Sequence, residues 1–334
     1  MRITIPPILV FLSLFTACGA SYHGLPQNGF DGTRFRNAIE VPERGPTSLF
    51  KWIANRDQEP WPEWAEIPTA AVPPKRSTKL RVQFINHATV LVQLDGVNIL
   101  TDPIWAERAS PMSWAGPSRH KAPGLPLSQV PPIDLVVISH NHYDHLSVET
   151  LAALQARDQP LVLVGLGNQA YLADQDIKSR EVDWWETRTI SKLEVTFVPV
   201  QHWSSRSIFD RGESLWGGYM IKGPSGSVYF AGDTGYGPHF AETRKRLGSP
   251  DVALLPVGAY EPRWFMAAHH MNPDDAAAAH LDLGAKQSLG IHWGTFQLTD
   301  EGMNRPVEDL SLALRKYNIA PENFQTVENG GVLK

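Results

Sequence analysis

His140-Asn141-His142-Tyr143-Asp144-His145 is the stretch that decides how this chain is read. It follows the apolar run Ile133 to Ser139, a buried-strand pattern, so its polar residues leave the sheet together at one strand end. In an extended segment His140 and His142 point to the same side, because side chains alternate with a period of two. The turn that follows can swing Asp144 and His145 toward a second point nearby, which one metal centre would not need. Burying three imidazoles and a carboxylate from one hexapeptide without partners would cost several kcal/mol, and a metal supplies the partner.

Three more polar residues occupy equivalent places. His202 follows the run Val195 to Val200, Asp233 follows Ser227 to Ala231, and His292 follows Ser288 to Ile291. In layered α/β proteins the carboxyl ends of strands gather along one edge, where ligand sites form. The glycines of Ala231-Gly232-Asp233-Thr234-Gly235-Tyr236-Gly237 let the backbone turn sharply enough for the Asp233 carboxylate to approach two cations.

From Lys79 onward the chain alternates short β-rich runs with helical stretches. The runs are Leu80 to Asn86, Thr89 to Leu94, Val97 to Thr101, Ile133 to Ser139, Leu161 to Val164, Val195 to Val200, Ser227 to Ala231 and Val252 to Val257. Ser147 is placed to cap a helix Val148 to Gln155, and Asn272-Pro273-Asp274-Asp275 to start one reaching about Leu283. This is the pattern of an α/β layered domain.

The remaining features bound the protein's class. With 334 residues, 42% of them hydrophobic and 10% aromatic, the chain can bury a sizeable core. Its net charge is −5 and its 30 Lys and Arg are scattered, which weighs against a nucleic-acid partner. Residues 1–18 read as a secretory signal, with Arg2 ahead of the apolar run Ile8 to Phe15; that run is too short for a permanent span, which needs about 20 apolar residues. Leu14-Phe15-Thr16-Ala17-Cys18 resembles the lipobox of bacterial lipoproteins, which would make Cys18 a lipid anchor; an ordinary cleaved signal is the alternative. Residues 19–77 read as a Pro- and Trp-rich arm and linker whose Trp52, Trp61 and Trp64 pack on the body, and residues 78–334 as the catalytic domain.

His-x-His-x-Asp-His with a later His, Asp and final His resembles the metallo-β-lactamase superfamily. HNHYDHL at 140–146, AGDTGY at 231–236, GAYEPRWFM at 258–266 and IHWGTF at 291–296 are similar to its N-acyl-phosphatidylethanolamine-hydrolysing phospholipase D-like family, and HATVLV at 87–92 and TDPI at 101–104 fit that family's early strands. The resemblance implies a four-layer αββα sandwich. It implies two metal sites, with His140, His142 and His202 on one, Asp144, His145 and His292 on the other, and Asp233 bridging. Two Zn2+ ions are expected, although iron or manganese would accept a similar set.

Asp102 then reads either as a carboxylate behind the ligands that orients an imidazole or as a strand-end Asp in the turn before Pro103. The resemblance gives Tyr143 and His270 contacts to the substrate phosphate, with Asp144 and His270 as catalytic residues; His269 is expected to face solvent and Arg263 to pair with Glu261 or another acid. Trp203, Trp264 and Trp293 could line an acyl channel, with core packing the stronger expectation for each. The implied reaction is a phospholipase D-type cut by a metal-bridging hydroxide. Partners would be a phospholipid substrate, a membrane surface met through the lipid anchor and a possible homodimer, in a bacterial cell envelope. The alternatives are a non-lipid hydrolase of the same fold, such as a lactonase or soluble phosphodiesterase, and a non-catalytic envelope binding lipoprotein.

Overall fold

A computed structural model describes residues 21–26, 29–41 and 45–334; Cys18 and the signal-like segment lie outside the described residues. Two sheets dominate it. The first runs β1 (Arg81–Asn86), β2 (Thr89–Leu94), β3 (Val97–Thr101), β4 (Leu135–Val137), β5 (Leu161–Gly165), β6 (Arg180–Val182) in spatial order. The second holds β7 (Thr187–Ile190), β8 (Leu193–Val198), β9 (Gly218–Gly223), β10 (Gly226–Phe230), β11 (Val252–Pro256), β12 (Gln287–Ile291) and β13 (Phe324–Gln325), again with neighbours in sequence paired in space. Each sheet joins an antiparallel meander to a parallel half: β3 is parallel to β4 in one, β10 to β11 in the other.

Period-two alternation sorts the apolar side chains into layers. Val90 and Val92 of β2 meet Val195, Phe197, Val228 and Leu254 between the sheets. Leu91 and Leu100 face the other way, onto Leu151 and Leu154 of α2 (Val148–Asp158) and Leu172 of α3 (Gln169–Ala173). Across the molecule Ala253 and Leu255 pack against α4 (His239–Leu247), α6 (Pro273–Leu283) and α7 (Arg305–Lys316), through Phe240, Leu283 and Leu310 among others. The result is the expected αββα sandwich.

Ser147 caps α2, which runs to Asp158, three residues past the expected end and up to a left-handed Gln159. Asn272 opens α6 with a reciprocal capping box to Asp275. β4 is shorter than the run Ile133 to Ser139 suggests, because the Ser139 N–H is taken by Asp102 Oδ1 at 2.7 Å and leaves the ladder. The sequence reading missed β6, β7, β9 and β13; of these β9 begins and ends in glycine.

The arm also contains an unforeseen helix, α1 (Pro46–Ala54), which begins with a proline at its first turn. Phe30 and Phe35 enter the inter-sheet core, Trp52 donates to Asp300 Oδ2 at 2.8 Å and stacks on Phe265, and Trp61 donates to the Glu301 carbonyl. Trp64 departs from expectation: the residue stays 48% exposed, next to an Ala65 N–H that donates to His120 O. Among the described residues no helix is long and apolar enough to cross a membrane.

Candidate metal centre

The loops that leave the carboxyl ends of β3, β4, β8, β10 and β12 converge, carrying Asp102, the His140–His145 segment, His202, Asp233 and His292. Two of these residues hold left-handed backbone, Asp102 at φ 33° and His292 at φ 64°. For residues other than glycine that is uncommon and concentrates at functional sites. Gly232, at φ 61°, could not carry a side chain either, since a Cβ there would lie 2.4 Å from Cβ of Ser139. The glycine lets the Asp233 loop close onto the His140 loop.

Asp144 Oδ2, His145 Nε2 and His292 Nε2 form a triangle with sides of 3.1, 3.3 and 3.2 Å. Ligands about 2.0–2.1 Å from one tetrahedral ion stand about 3.3 Å apart, so this triangle has the spacing of a metal face. His140, His142 and His202 make a second group, with His140 Nε2 2.8 Å and His202 Nε2 3.3 Å from His142 Nδ1. Asp233 stands between the two: Oδ1 is 3.2 Å from His292 Nε2, and Oδ2 is 3.2 Å from His145 Nε2, 3.9 Å from His202 Nε2 and 4.0 Å from His140 Nε2.

Partners behind these groups set which nitrogen faces inward. His145 Nδ1 is 2.7 Å from Asp102 Oδ2 and donates to it, which leaves Nε2 as the lone pair. Ser139 Oγ donates to the same carboxylate and accepts from His140 Nδ1 at 2.9 Å, so His140 also turns a bare Nε2 inward. His202 Nδ1 donates to the His269 carbonyl at 3.0 Å, with the same outcome. Lone pairs therefore face lone pairs and carboxylates across about 3 Å, an arrangement that calls for positive charge between them.

The titration behaviour has the same cause. Burial disfavours charge on His145 and His292, yet Asp233 and Asp144 outweigh it: His145 is raised well above the ordinary imidazole range and His292 to about 9. Burial likewise opposes ionisation of Asp144 and Asp233, but the imidazoles beside them hold both well below the usual carboxylate range. His140 and His202 are held far down by burial and by neighbouring imidazoles, and His142 is lowered to about 3, mainly by burial. Buried acids, protonated imidazoles and neutral imidazoles in one cluster are what a cation site contains when protons stand in for the ion.

His270 lies at the open side of this cluster, its side chain 17% exposed and Nδ1 3.9 Å from Asp233 Oδ2. That nitrogen has no hydrogen-bond partner, and burial lowers the ring's pKa to about 4, so it is neutral near pH 7. Arg263 fixes the segment by donating to the His270 carbonyl at 2.8 Å and pairing with Asp275 at 2.6 Å. The expectation for His269 is corrected: it is buried at 8% exposure, its ring edge-on to that of His202 at 6.0 Å and its carbonyl accepting from His202 Nδ1.

Tyr143 lies beside the cluster rather than within it. Its hydroxyl donates to the Arg206 carbonyl at 2.9 Å, and the Arg206 guanidinium lies over its ring. The three tryptophans separate. Trp203 meets the His142 ring edge-on at 4.3 Å, Trp293 is core, stacked on Phe84, and Trp264 is 42% exposed beside Phe265 and Lys51.

Sequence reasoning missed three contributors. His87 places Nε2 2.9 Å from Asp144 Oδ2, and Ser139 links Asp102 to His140. Asn37 of the arm brackets the His202 backbone, donating to its carbonyl at 2.9 Å and accepting from its N–H at 3.0 Å. Ser139 adjoins a quoted motif and His87 opens one, HATVLV at 87–92, but Asn37 is separated from His202 by 165 residues and carries no sequence signal.

Residues 97–293 match the family model described as "Beta-lactamase superfamily domain". The chain is 38% identical over 263 residues to N-acyl-phosphatidylethanolamine-hydrolyzing phospholipase D 1 of Caenorhabditis elegans, covering 75% of this chain and 74% of that protein. It is 32% identical to a metal-dependent hydrolase of Methanopyrus kandleri, covering 72% of this chain and 97% of that one. Among solved structures, a metallo hydrolase from Ignicoccus hospitalis superposes with a TM-score of 0.58 at 21% identity, covering 76% of this chain and 97% of that chain, a likeness of fold.

Proposed function

This chain belongs to the N-acyl-phosphatidylethanolamine-hydrolysing phospholipase D-like family of the metallo-β-lactamase superfamily, whose members are metal-dependent hydrolases, and from that premise we propose that it is a dinuclear phosphodiesterase cutting phospholipids of that type. The observation that supports this most is the position of Asp233, whose two oxygens each lie 3.2 Å from an imidazole of the His145–His292 pair while Oδ2 also faces the His140–His202 pair. Asp144, His145 and His292 would hold one ion, His140, His142 and His202 the other, and Asp233 both; two Zn2+ ions suit that donor set. A bound pair of such ions supplies an activated water at neutral pH and charge neutralisation for a phosphate.

The chain's own residues do the rest. Water's oxygen bonds to phosphorus, the bond to the ethanolamine oxygen breaks, and one water proton ends on that leaving oxygen. His270, neutral and unpartnered at Nδ1, is the group suited to take and return that proton. Asp144 acts at the reacting centre through its place in the ligand set. Asp102 and Ser139 keep the His145 and His140 tautomers fixed throughout. Tyr143 can contact the phosphate only by giving up its bond to Arg206.

That last point favours keeping a second reading, a non-lipid hydrolase of the same centre, since the Tyr143 donor is engaged and Trp203 is the one tryptophan of the three that touches it. Hydrolysis of a diacyl N-acylphosphatidylethanolamine in oxygen-18 water tests the first reading. Label in the phosphatidic acid is expected; label in a released fatty acid overturns the phosphodiesterase assignment. Export and tethering through Cys18 to a bacterial envelope also belong to the proposal, and Cys18→Ser should release the protein from membranes or leave an unprocessed precursor.

A further inference from the structure

We propose that His87 is a positioning residue of the metal centre, donating from Nε2 to Asp144 Oδ2 and fixing that carboxylate oxygen toward His145 and His292. The inference rests on the reading that Asp144, His145 and His292 hold one ion of a pair.

Three observations carry it. The first is length. His87 Nε2 lies 2.9 Å from Asp144 Oδ2, a hydrogen-bond distance, beside a set in which Asp144, His145, His292 and Asp233 already give four donors without it. An oxygen has two lone pairs, so Oδ2 can accept from His87 with one and face a cation with the other.

The second is the tautomer. His87 is 1% exposed and its Nδ1 has no hydrogen-bond partner. With the proton on Nε2, the buried N–H meets a carboxylate. With the proton on Nδ1, that N–H would be orphaned and a bare Nε2 would confront Asp144, which is costly on both counts.

The third is the backbone. His87 sits in the tight turn between β1 and β2 at φ 50°, left-handed backbone that is uncommon outside glycine although histidine enters it more readily than most residues. Its main chain is clamped on both sides by the segment after β12, since its carbonyl accepts from the His292 N–H at 2.7 Å and its N–H donates to Thr295 Oγ1 at 3.1 Å. The ring centroids of His87 and His292 lie 4.0 Å apart. The turn thus locks a ligand's backbone and a second ligand's carboxylate with one residue. That explains why local strain is tolerated there.

The test uses the full chain, stripped and reloaded with zinc, with stepwise affinities read by chelator competition and thermal unfolding of the stripped form as control. Wild type should take two ions. His87→Leu should keep one at wild-type affinity and bind the other about 10–100-fold more weakly, as loss of an outer partner does. His87→Gln, which returns an N–H at similar reach, should recover most of that loss. If Gln fails as completely as Leu, or if both bind zinc like wild type while only the stripped form melts earlier, the proposal is overturned.

A measurement on wild type removes the dependence on variant folding. In cadmium-113-loaded protein with nitrogen-15 histidine, His145 and His292 should show coupling to the metal. His87 should show a protonated Nε2 with none, and coupling at His87 would make it a ligand and end the positioning role. Should wild type bind a single ion, the dinuclear reading fails by itself, while the contrast between Leu and Gln at that ion still decides the role of His87.

Discussion

Asp102 governs two inward-facing imidazoles at once: Oδ2 accepts from His145 Nδ1 at 2.7 Å and, through Ser139 Oγ, from a chain that ends on His140 Nδ1. The carboxylate is wholly buried, and the Ser139 N–H depends on its other oxygen. It is therefore both an orienting group and a structural acceptor. Asp102→Asn should weaken metal binding about 10–100-fold with a small change in unfolding temperature. Asp102→Ala should add about 1–3 kcal/mol of destabilisation by orphaning the Ser139 N–H, measurable by denaturant unfolding of the metal-free protein.

Asp233→Asn should disturb both ions together, because this side chain touches both groups. Elemental analysis should fall from about two ions per chain, and activity should fall with it. Loss of one ion with the other unchanged would show that Asp233 serves a single site.

The metal-free protein should carry a pH signature. His292 has its folded pKa raised to about 9, above the unfolded value of about 6.5, so its contribution to stability is complete below about 6.5 and is lost as pH rises through about 9. Asp144 and Asp233 are depressed, so theirs is present above about 4 and lost as pH falls. Melting temperatures of stripped protein should accordingly fall from pH 7 toward pH 10. Loading near pH 7 should release protons into a weak buffer, because imidazoles must deprotonate to bind metal.

His270→Ala should lower kcat by about 10²–10⁴ if the ring moves the leaving-group proton, while both ions stay bound. Metal content measured beside turnover separates this from a ligand defect. Equal turnover in the variant would remove His270 from the chemistry.

Asn37→Ala should weaken the His140–His142–His202 ion although residue 37 lies in the arm, because the His202 backbone loses both of its side-chain partners. The cost to stability should be about 1–3 kcal/mol per orphaned group. Asn37→Asp keeps the acceptor for the His202 N–H and should fall between.

The sequence already contained what is local. Alternating apolar runs placed β1, β2, β3, β10 and β11 closely, and Ser147 and Asn272 marked the helix starts, because periodicity and capping are properties of neighbours in the chain. His140, His142, Asp144 and His145 could be singled out because so many metal-binding groups in six residues have few other uses. What stayed hidden were contributors defined by a partner far along the chain.

His87 is one histidine after one strand, and nothing in its surroundings says that its ring meets a carboxylate 57 residues away. Asn37 looks like any polar residue of an irregular arm. The sequence by itself determined the layers and the donor types, since strand alternation and side-chain chemistry are carried residue by residue. Only the tertiary structure decided which nitrogen of each imidazole faces inward and which arm and turn residues hold the donors still, because hydrogen-bond direction depends on partners that folding alone brings within about 3 Å.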